Sequence, residues 1–138
     1  MNPIVVGVDG SATARLAAKH AAELANSCGA AIHLVTAYAK RATKTVRAAG
    51  ETWVVDSLSS AEQVLADVGS DIRVANGITS AVMEGDPASA VIDEAKRLDA
   101  SMIVVGNRRV QGVSRILGSV AADIARRAPC HVLIAKTT

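Results

Sequence analysis

Phenylalanine is absent from the chain, and Tyr38 and Trp53 are its only other aromatic residues of the Phe/Tyr/Trp class. A platform that stacks single-stranded nucleic acid needs several aromatics in one place, so nucleic acid is not an expected partner. Cysteine is scarce: Cys28 and Cys130 have no C-x-x-C spacing and cannot build a disulfide framework. Both are expected to be buried, inert thiols in a reducing compartment. Long hydrophobic runs are missing too. Stretches such as Met102–Gly106 and Val132–Ala135 fall far short of the ~18 residues of a spanning helix, which removes the membrane as a partner. Met1-Asn2-Pro3-Ile4 lacks the basic-then-apolar order of a secretory leader, and the expected location is cytoplasmic.

What remains is 138 residues, half of them hydrophobic, with a formal net charge of +2. This suits one domain over residues 1–138 with a core of Val, Ile, Leu, Ala and Met. The small net charge hides an uneven distribution: +4 over residues 1–50, −7 over 51–100 and +5 over 101–138. Two basic segments that meet in space would favour an anion. A solvated acidic helix with ordinary surface cations gives the same numbers.

Ile4–Val8 is a continuous β-branched run, as in strands covered on both faces by helices. It ends at Asp9-Gly10-Ser11, where Ser11 can cap the next helix, Ala12–Ser27, with Gly29 as a left-handed stop. The apolar stripe of that helix runs through Leu16, Ala17, Ala21, Leu24 and Ala25. Ala31–Tyr38 reads as a second strand. Residues 39–50, with Lys40, Arg41, Lys44 and Arg47, read as a mobile, solvated connection with some helical character. A helix over Thr52–Val68 turns Trp53, Leu58, Ala61, Val64 and Leu65 inward. Val74–Glu84 is β-rich but interrupted by Asn76-Gly77. Asp86-Pro87 then gives an N-cap and a first helical residue for the helix Pro87–Leu98. Strand Ser101–Gly106, helix Leu117–Arg127 and strand Cys130–Lys136 complete the chain.

Alternating strands and helices predict an α/β, doubly wound, five-stranded parallel sheet with helices on both faces. Ligands of such sheets bind where the strand order reverses, at the carboxyl ends of the flanking strands. The first strand ends in Asp9-Gly10-Ser11 and the fourth in Gly106-Asn107-Arg108-Arg109, which suits the order 3-2-1-4-5. Gly106 would let backbone approach a ligand, and Gly118-Ser119 would offer the unpaired N–H groups of the last helix to an anion. Arg108, Arg109 and Arg115 could add charge-assisted hydrogen bonds to phosphate. A glycine-rich turn before an ordinary helix accounts for the same residues.

Val6-Gly7-Val8-Asp9-Gly10-Ser11, Glu84-Gly85-Asp86-Pro87, Val104-Val105-Gly106 with Gly118-Ser119-Val120, and Ala128-Pro129-Cys130-His131-Val132-Leu133-Ile134 follow one another along the chain. Together they resemble the universal stress protein family. The resemblance implies the sheet order above, a homodimer paired through the last strand, His131–Ala135, and ATP or another adenine nucleotide as ligand, with or without Mg2+. It places Asp9 at the ribose with Gly7 and Val8 beside it in the binding site, the backbone around Ala37 at the adenine edge, Val105 and Gly106 along the nucleoside, and Gly118, Ser119 and Val120 at the phosphates. Nucleotide-binding relatives carry G-x2-G-x9-G-[ST]. Here the second glycine is replaced by Arg109, and eight residues separate Arg109 from Gly118. Either the Cβ of Arg109 blocks the close approach of backbone to phosphate, or its guanidinium replaces that contact with a salt bridge. Gly112 offers the loop another path.

A dedicated ATPase needs a placed base and an acidic metal set, and nothing beyond Asp9 supplies one, so binding with at most slow hydrolysis is expected. Ser11 reads as a cap rather than a nucleophile. His20, His33 and His131 lack metal-ligand spacing and are assigned to core or surface. The competing function is a dimeric interaction module of the same fold whose crevice is altered by Arg109 and takes no nucleotide. A receiver domain would need more acidic residues after the first strand, and a P-loop ATPase its GK[ST] element.

Overall fold

A computed structural model describes residues 2–38, 52–107 and 118–137, with side chains from residue 58 onward in the second of these stretches. The described elements are β1 (Ile4–Gly7), α1 (Ala12–Cys28), β2 (Ile32–Tyr38), α2 (Thr52–Asp71), β3 (Ile78–Glu84), α3 (Pro87–Arg97), β4 (Met102–Gly106), α4 (Ser119–Arg127) and β5 (His131–Ala135). All strand pairings are parallel and the order is β3-β2-β1-β4-β5. The doubly wound sheet expected from the sequence is therefore the fold.

Side-chain alternation along the strands sorts the core into two layers. Ile4, Val6, Ile32 and Leu34 face α1 and α2, joined there by Leu65, Val68 and Ile72. Val5, Val35, Ile103 and Val105 face α3 and α4 with Val91, Ile92 and Ile124. With almost no aromatic bulk, the first layer closes by bringing α1 very near the sheet on buried Ala14, Ala17, Ala18, Ala21, Ala22 and Ala25. Leu16 and Leu58, read from the sequence as inward, are instead 41% and 38% exposed. The buried stripe of α1 is the alanine one, and that of α2 runs through Ala61, Leu65, Val68 and Ile72.

Local chemistry sets the ends of the elements. Ser11 Oγ accepts from the Ala14 amide at 3.2 Å, and Gly29 closes α1 at φ 75° with its N–H on the Ala25 carbonyl. Asp86 caps α3 by accepting from the Ser89 amide at 2.9 Å, with Pro87 as first helical residue. Some expected boundaries move. Asn76-Gly77 does not interrupt a strand: Gly77, at φ 100°, completes a turn onto the Val74 carbonyl, and β3 begins after it. α2 runs on to Asp71, and α4 begins at Ser119 rather than Leu117. Cys28 is exposed and Cys130 half-buried, so the expectation of two buried thiols is corrected: the first is open to solvent and the second only partly covered. Cys28 is the last residue of α1, at an open helix end. No helix among the described residues is long and apolar enough to cross a membrane.

Candidate functional site

In an all-parallel sheet every strand points its carboxyl end to the same edge, and the helices that follow begin there. The order β2-β1-β4 reverses direction at β1, so the crevice opens between the tips of β1 and β4. A cavity of about 580 Å3 occupies that place. Its floor is Gly7, Val8 and Asp9 at the end of β1, Val35–Ala37 on β2, and Val105 and Gly106 at the end of β4. Its walls are the first turns of three helices: Ser11, Thr13 and Ala14 at α1, Pro87 and Val91 at α3, and Gly118–Ala121 with Ile124 at α4.

Nine residues singled out from the sequence thus share one cavity: Gly7, Val8, Asp9, Ala37, Val105, Gly106, Gly118, Ser119 and Val120. Arg108 and Arg109 lie outside the described residues, as do Gly112, Arg115 and the Lys40–Arg47 cluster. The walls from α3, Pro87 and Val91, were not foreseen. Their signal in sequence is only that α3 starts at the same edge, and strand order alone decides which helix overhangs the crevice.

The three helix starts are not equivalent. In α1 and α3 a side chain already serves the first turn, Ser11 in one and Asp86 in the other. Gly118, the N-cap of α4, has no side chain to offer and makes no side-chain cap bond. The first-turn amides of α4 therefore face the cavity with the positive end of the helix dipole behind them, an arrangement suited to an anion. Asp9 is the only ionisable side chain among the described lining residues. Its Oδ1 accepts from the Ser11 amide at 2.8 Å, which fixes the turn leading into α1. Ser11 Oγ also meets Thr13 Oγ1 at 3.0 Å, giving the mouth a small hydroxyl pair.

Two glycines in the floor are required by packing. A Cβ on Gly106 would stand 3.1 Å from the Thr13 carbonyl oxygen and 3.6 Å from Ala17 Cβ. The missing side chain admits the backbone of α1, a packing role beside the place of Gly106 in the cavity floor. A Cβ on Gly7 would stand 3.0 Å from Val91 Cγ2 and 3.3 Å from Val105 Cγ1, inside the wall. Beyond Gly106, the Asn107 carboxamide oxygen accepts from both the Thr137 amide and hydroxyl, at 2.8 and 2.7 Å, and ties the tip of β4 to the chain after β5.

Several described cations are engaged elsewhere. Arg15 lies 3.6 and 3.5 Å from Asp67 and Asp71, and Arg126 and Arg127 both reach Asp123. The last contacts hold the Asp123 carboxyl below its ordinary range, chiefly through the Arg127 hydrogen bond. The idea that two basic segments converge on an anion thus rests on residues outside the described ones.

A second polar group lies within the α3 layer. His33 and Glu94 are each only 4% exposed. His33 Nε2 meets Glu94 Oε1 at 2.8 Å, its Nδ1 meets Thr79 Oγ1 at 2.6 Å, and Arg97 holds Glu94 through Nε and Nη2 at 2.8 and 2.9 Å. The Arg97 hydrogen bond, helped by His33 and opposed by burial, lowers the Glu94 pKa from 4.5 to about 2. An ionised Glu94 makes Nε2 of His33 the donor, so this cluster pins α3 to β2 and β3.

Comparison with known proteins agrees with this architecture. The sequence profile of the universal stress protein family matches residues 1–136. Universal stress protein Rv1636 of Mycobacterium tuberculosis is 31% identical over 142 aligned positions, covering 98% of this chain and 96% of that protein. Among solved structures, a universal stress protein from Archaeoglobus fulgidus superposes with a TM-score of 0.80 at 28% identity, over 97% of this chain and 98% of that one. A universal stress protein in complex with cAMP superposes with a TM-score of 0.67 at 29% identity, over 99% and 98%.

Proposed function

The chain belongs to the universal stress protein family, and on that premise we propose that it binds an adenine nucleotide, ATP foremost, in the crevice between β1 and β4. The observation that carries this reading is the cavity of about 580 Å3 whose one side-chain-uncapped helix start, that of α4, faces an apolar floor. Its volume lies within the ~300–1,000 Å3 usual for small-ligand sites. Val8, Val35, Ala37 and Val105 suit a base, and the amides of Ser119 and Val120 suit phosphate oxygens. Asp9, at the end of β1, is assigned to the ribose hydroxyls. The relative solved with cAMP, at 29% identity, supports the choice of an adenine nucleotide.

Arg108 and Arg109 are assigned to the phosphates on sequence alone. The protein is proposed to act by binding and by changing its partner contacts rather than by turnover, since Asp9 is the one ionisable group among the described lining residues. A homodimer paired through β5 and a cytoplasmic location belong to the same proposal. The first is supported by the edge position of β5 and by Leu133, 38% exposed on it.

Isothermal titration with ATP, AMP and cAMP tests the reading. Saturable heat with at least one of them is expected, and no heat with any at submillimolar protein ends it. The presence of Arg109 where the family's motif has glycine favours one competitor, a nucleotide-free interaction module. Under that alternative Arg109→Gly creates or strengthens binding. Under the proposal it leaves affinity similar or lower.

A further inference from the structure

The two edges of the sheet differ. β5 is five residues long, whereas β3 has seven, all in register with β2 from Ile78 to Glu84. An open edge strand is usually protected by a lysine, a proline, a bulge or short length. Ile78-Thr79-Ser80-Ala81-Val82-Met83-Glu84 contains no lysine or proline, and its unbroken register leaves no room for a bulge.

The direction of its backbone groups follows from two hydrogen bonds. The Gly77 carbonyl accepts from the Ile32 amide at 3.0 Å, and the Gly85 amide donates to the Tyr38 carbonyl at 2.8 Å. In a parallel strand each residue sends its N–H and C=O to the same side, and successive residues alternate. Thr79, Ala81 and Met83 therefore bond to β2. Ile78, Ser80, Val82 and Glu84 turn their N–H and C=O outward. Beside that edge lies a second cleft, of about 330 Å3, between Ser80–Val82 and Glu62, Leu65 and Ala66 of α2. It offers a seat for alternate side chains of an added strand.

Charge selects the occupant. Glu62 on α2 and Glu84 at the end of β3 are exposed, and neither carboxylate has a hydrogen-bond or ion-pair partner among the described residues. They oppose a second copy of the same edge and attract cations. We infer that the outer edge of β3 and the cleft beneath α2 form a docking site for an extended, basic peptide segment of a partner protein. The partner adds a strand through the Ser80 and Val82 backbone and sets Lys or Arg side chains against Glu62 and Glu84. This site is separate from the β1–β4 crevice and does not depend on nucleotide binding.

The test uses the full chain and a fluorescent seven-residue peptide of alternating Lys and Val, read by anisotropy. Glu-Val and backbone N-methylated versions serve as controls. Saturable binding of the Lys-Val peptide is expected, at least tenfold tighter than either control, with slowed amide hydrogen exchange at Ser80 and Val82. Ser80→Pro removes an outward donor without touching the β2 ladder and should weaken binding about tenfold. Should that variant fail to fold, the pair Glu62→Lys with Glu84→Lys decides, and should invert the preference between the Lys-Val and Glu-Val peptides. Equal binding of the N-methylated or the acidic peptide, or no binding at millimolar peptide, overturns the inference. So does a concentration-dependent mass in light scattering that Ser80→Pro abolishes, which would make a second copy the occupant.

Discussion

Replacing Glu94 by Gln removes a buried charge and leaves the shape of α3 intact. In the wild type the Glu94 carboxyl titrates near 2 when folded, against an ordinary 4.5. A folded-state pKa depressed in this way contributes stability that is fully present above about 4.5 and disappears as pH falls toward 2. At about 1.4 kcal/mol per pKa unit the shift corresponds to roughly 3 kcal/mol. The Arg97 side chain, though, is 60% exposed, so solvent screens its part of the interaction. About 1–2 kcal/mol is the reasonable net expectation. The Gln variant keeps an acceptor for His33 Nε2 and gives up the charged pair with Arg97. Urea unfolding of both proteins at pH steps from 7 to 2.5 reads the difference directly. The variant should be less stable by about 1–2 kcal/mol at pH 6, with the gap narrowing below pH 4.5 as the wild type loses its advantage. A gap that stays constant across that window would refute the assignment of the low pKa to the His33–Glu94–Arg97 cluster.

Gly106→Ala places a Cβ against the Thr13 carbonyl, a backbone atom that cannot step aside, and should cost about 1–3 kcal/mol in thermal or denaturant unfolding. Asp86→Ala removes the acceptor for the Ser89 amide at the start of α3 and should cost about 1 kcal/mol, measured the same way. If β5 pairs with its symmetry mate, Leu133→Glu should halve the mass seen by light scattering. A wild-type protein already at single-chain mass across the concentration series would remove that pairing.

The sequence alone determined what depends on neighbours along the chain. Ser11 and Asp86-Pro87 mark helix starts because a cap needs only a short polar side chain and an N–H two or three residues on. The strands are legible as apolar β-branched runs because helices cover both faces of the sheet. Once those elements alternate, parallel pairing leaves few arrangements, and the motif-bearing tips of β1 and β4 fall side by side. Most of the candidate site could be named in this way, since its residues end strands or begin helices.

Tertiary structure decided whatever joins distant positions. His33 read as an isolated histidine; folding brings it to Thr79 and Glu94, 46 and 61 residues away, and joins the buried His33–Glu94 pair to an exposed hydroxyl on the neighbouring strand. Gly106 read as room for a ligand; folding gives its missing Cβ a second purpose, since the Thr13 carbonyl of α1 lies 3.1 Å from where that atom would stand. Periodicity found Ala17, Ala21, Leu24 and Ala25 of α1, which pack on the core, but also included Leu16, which the close approach of the alanine face leaves 41% exposed. The edge position of β3, unpaired on its outer side among the described residues, was equally hidden, because a strand becomes an edge only when the order of its neighbours is fixed.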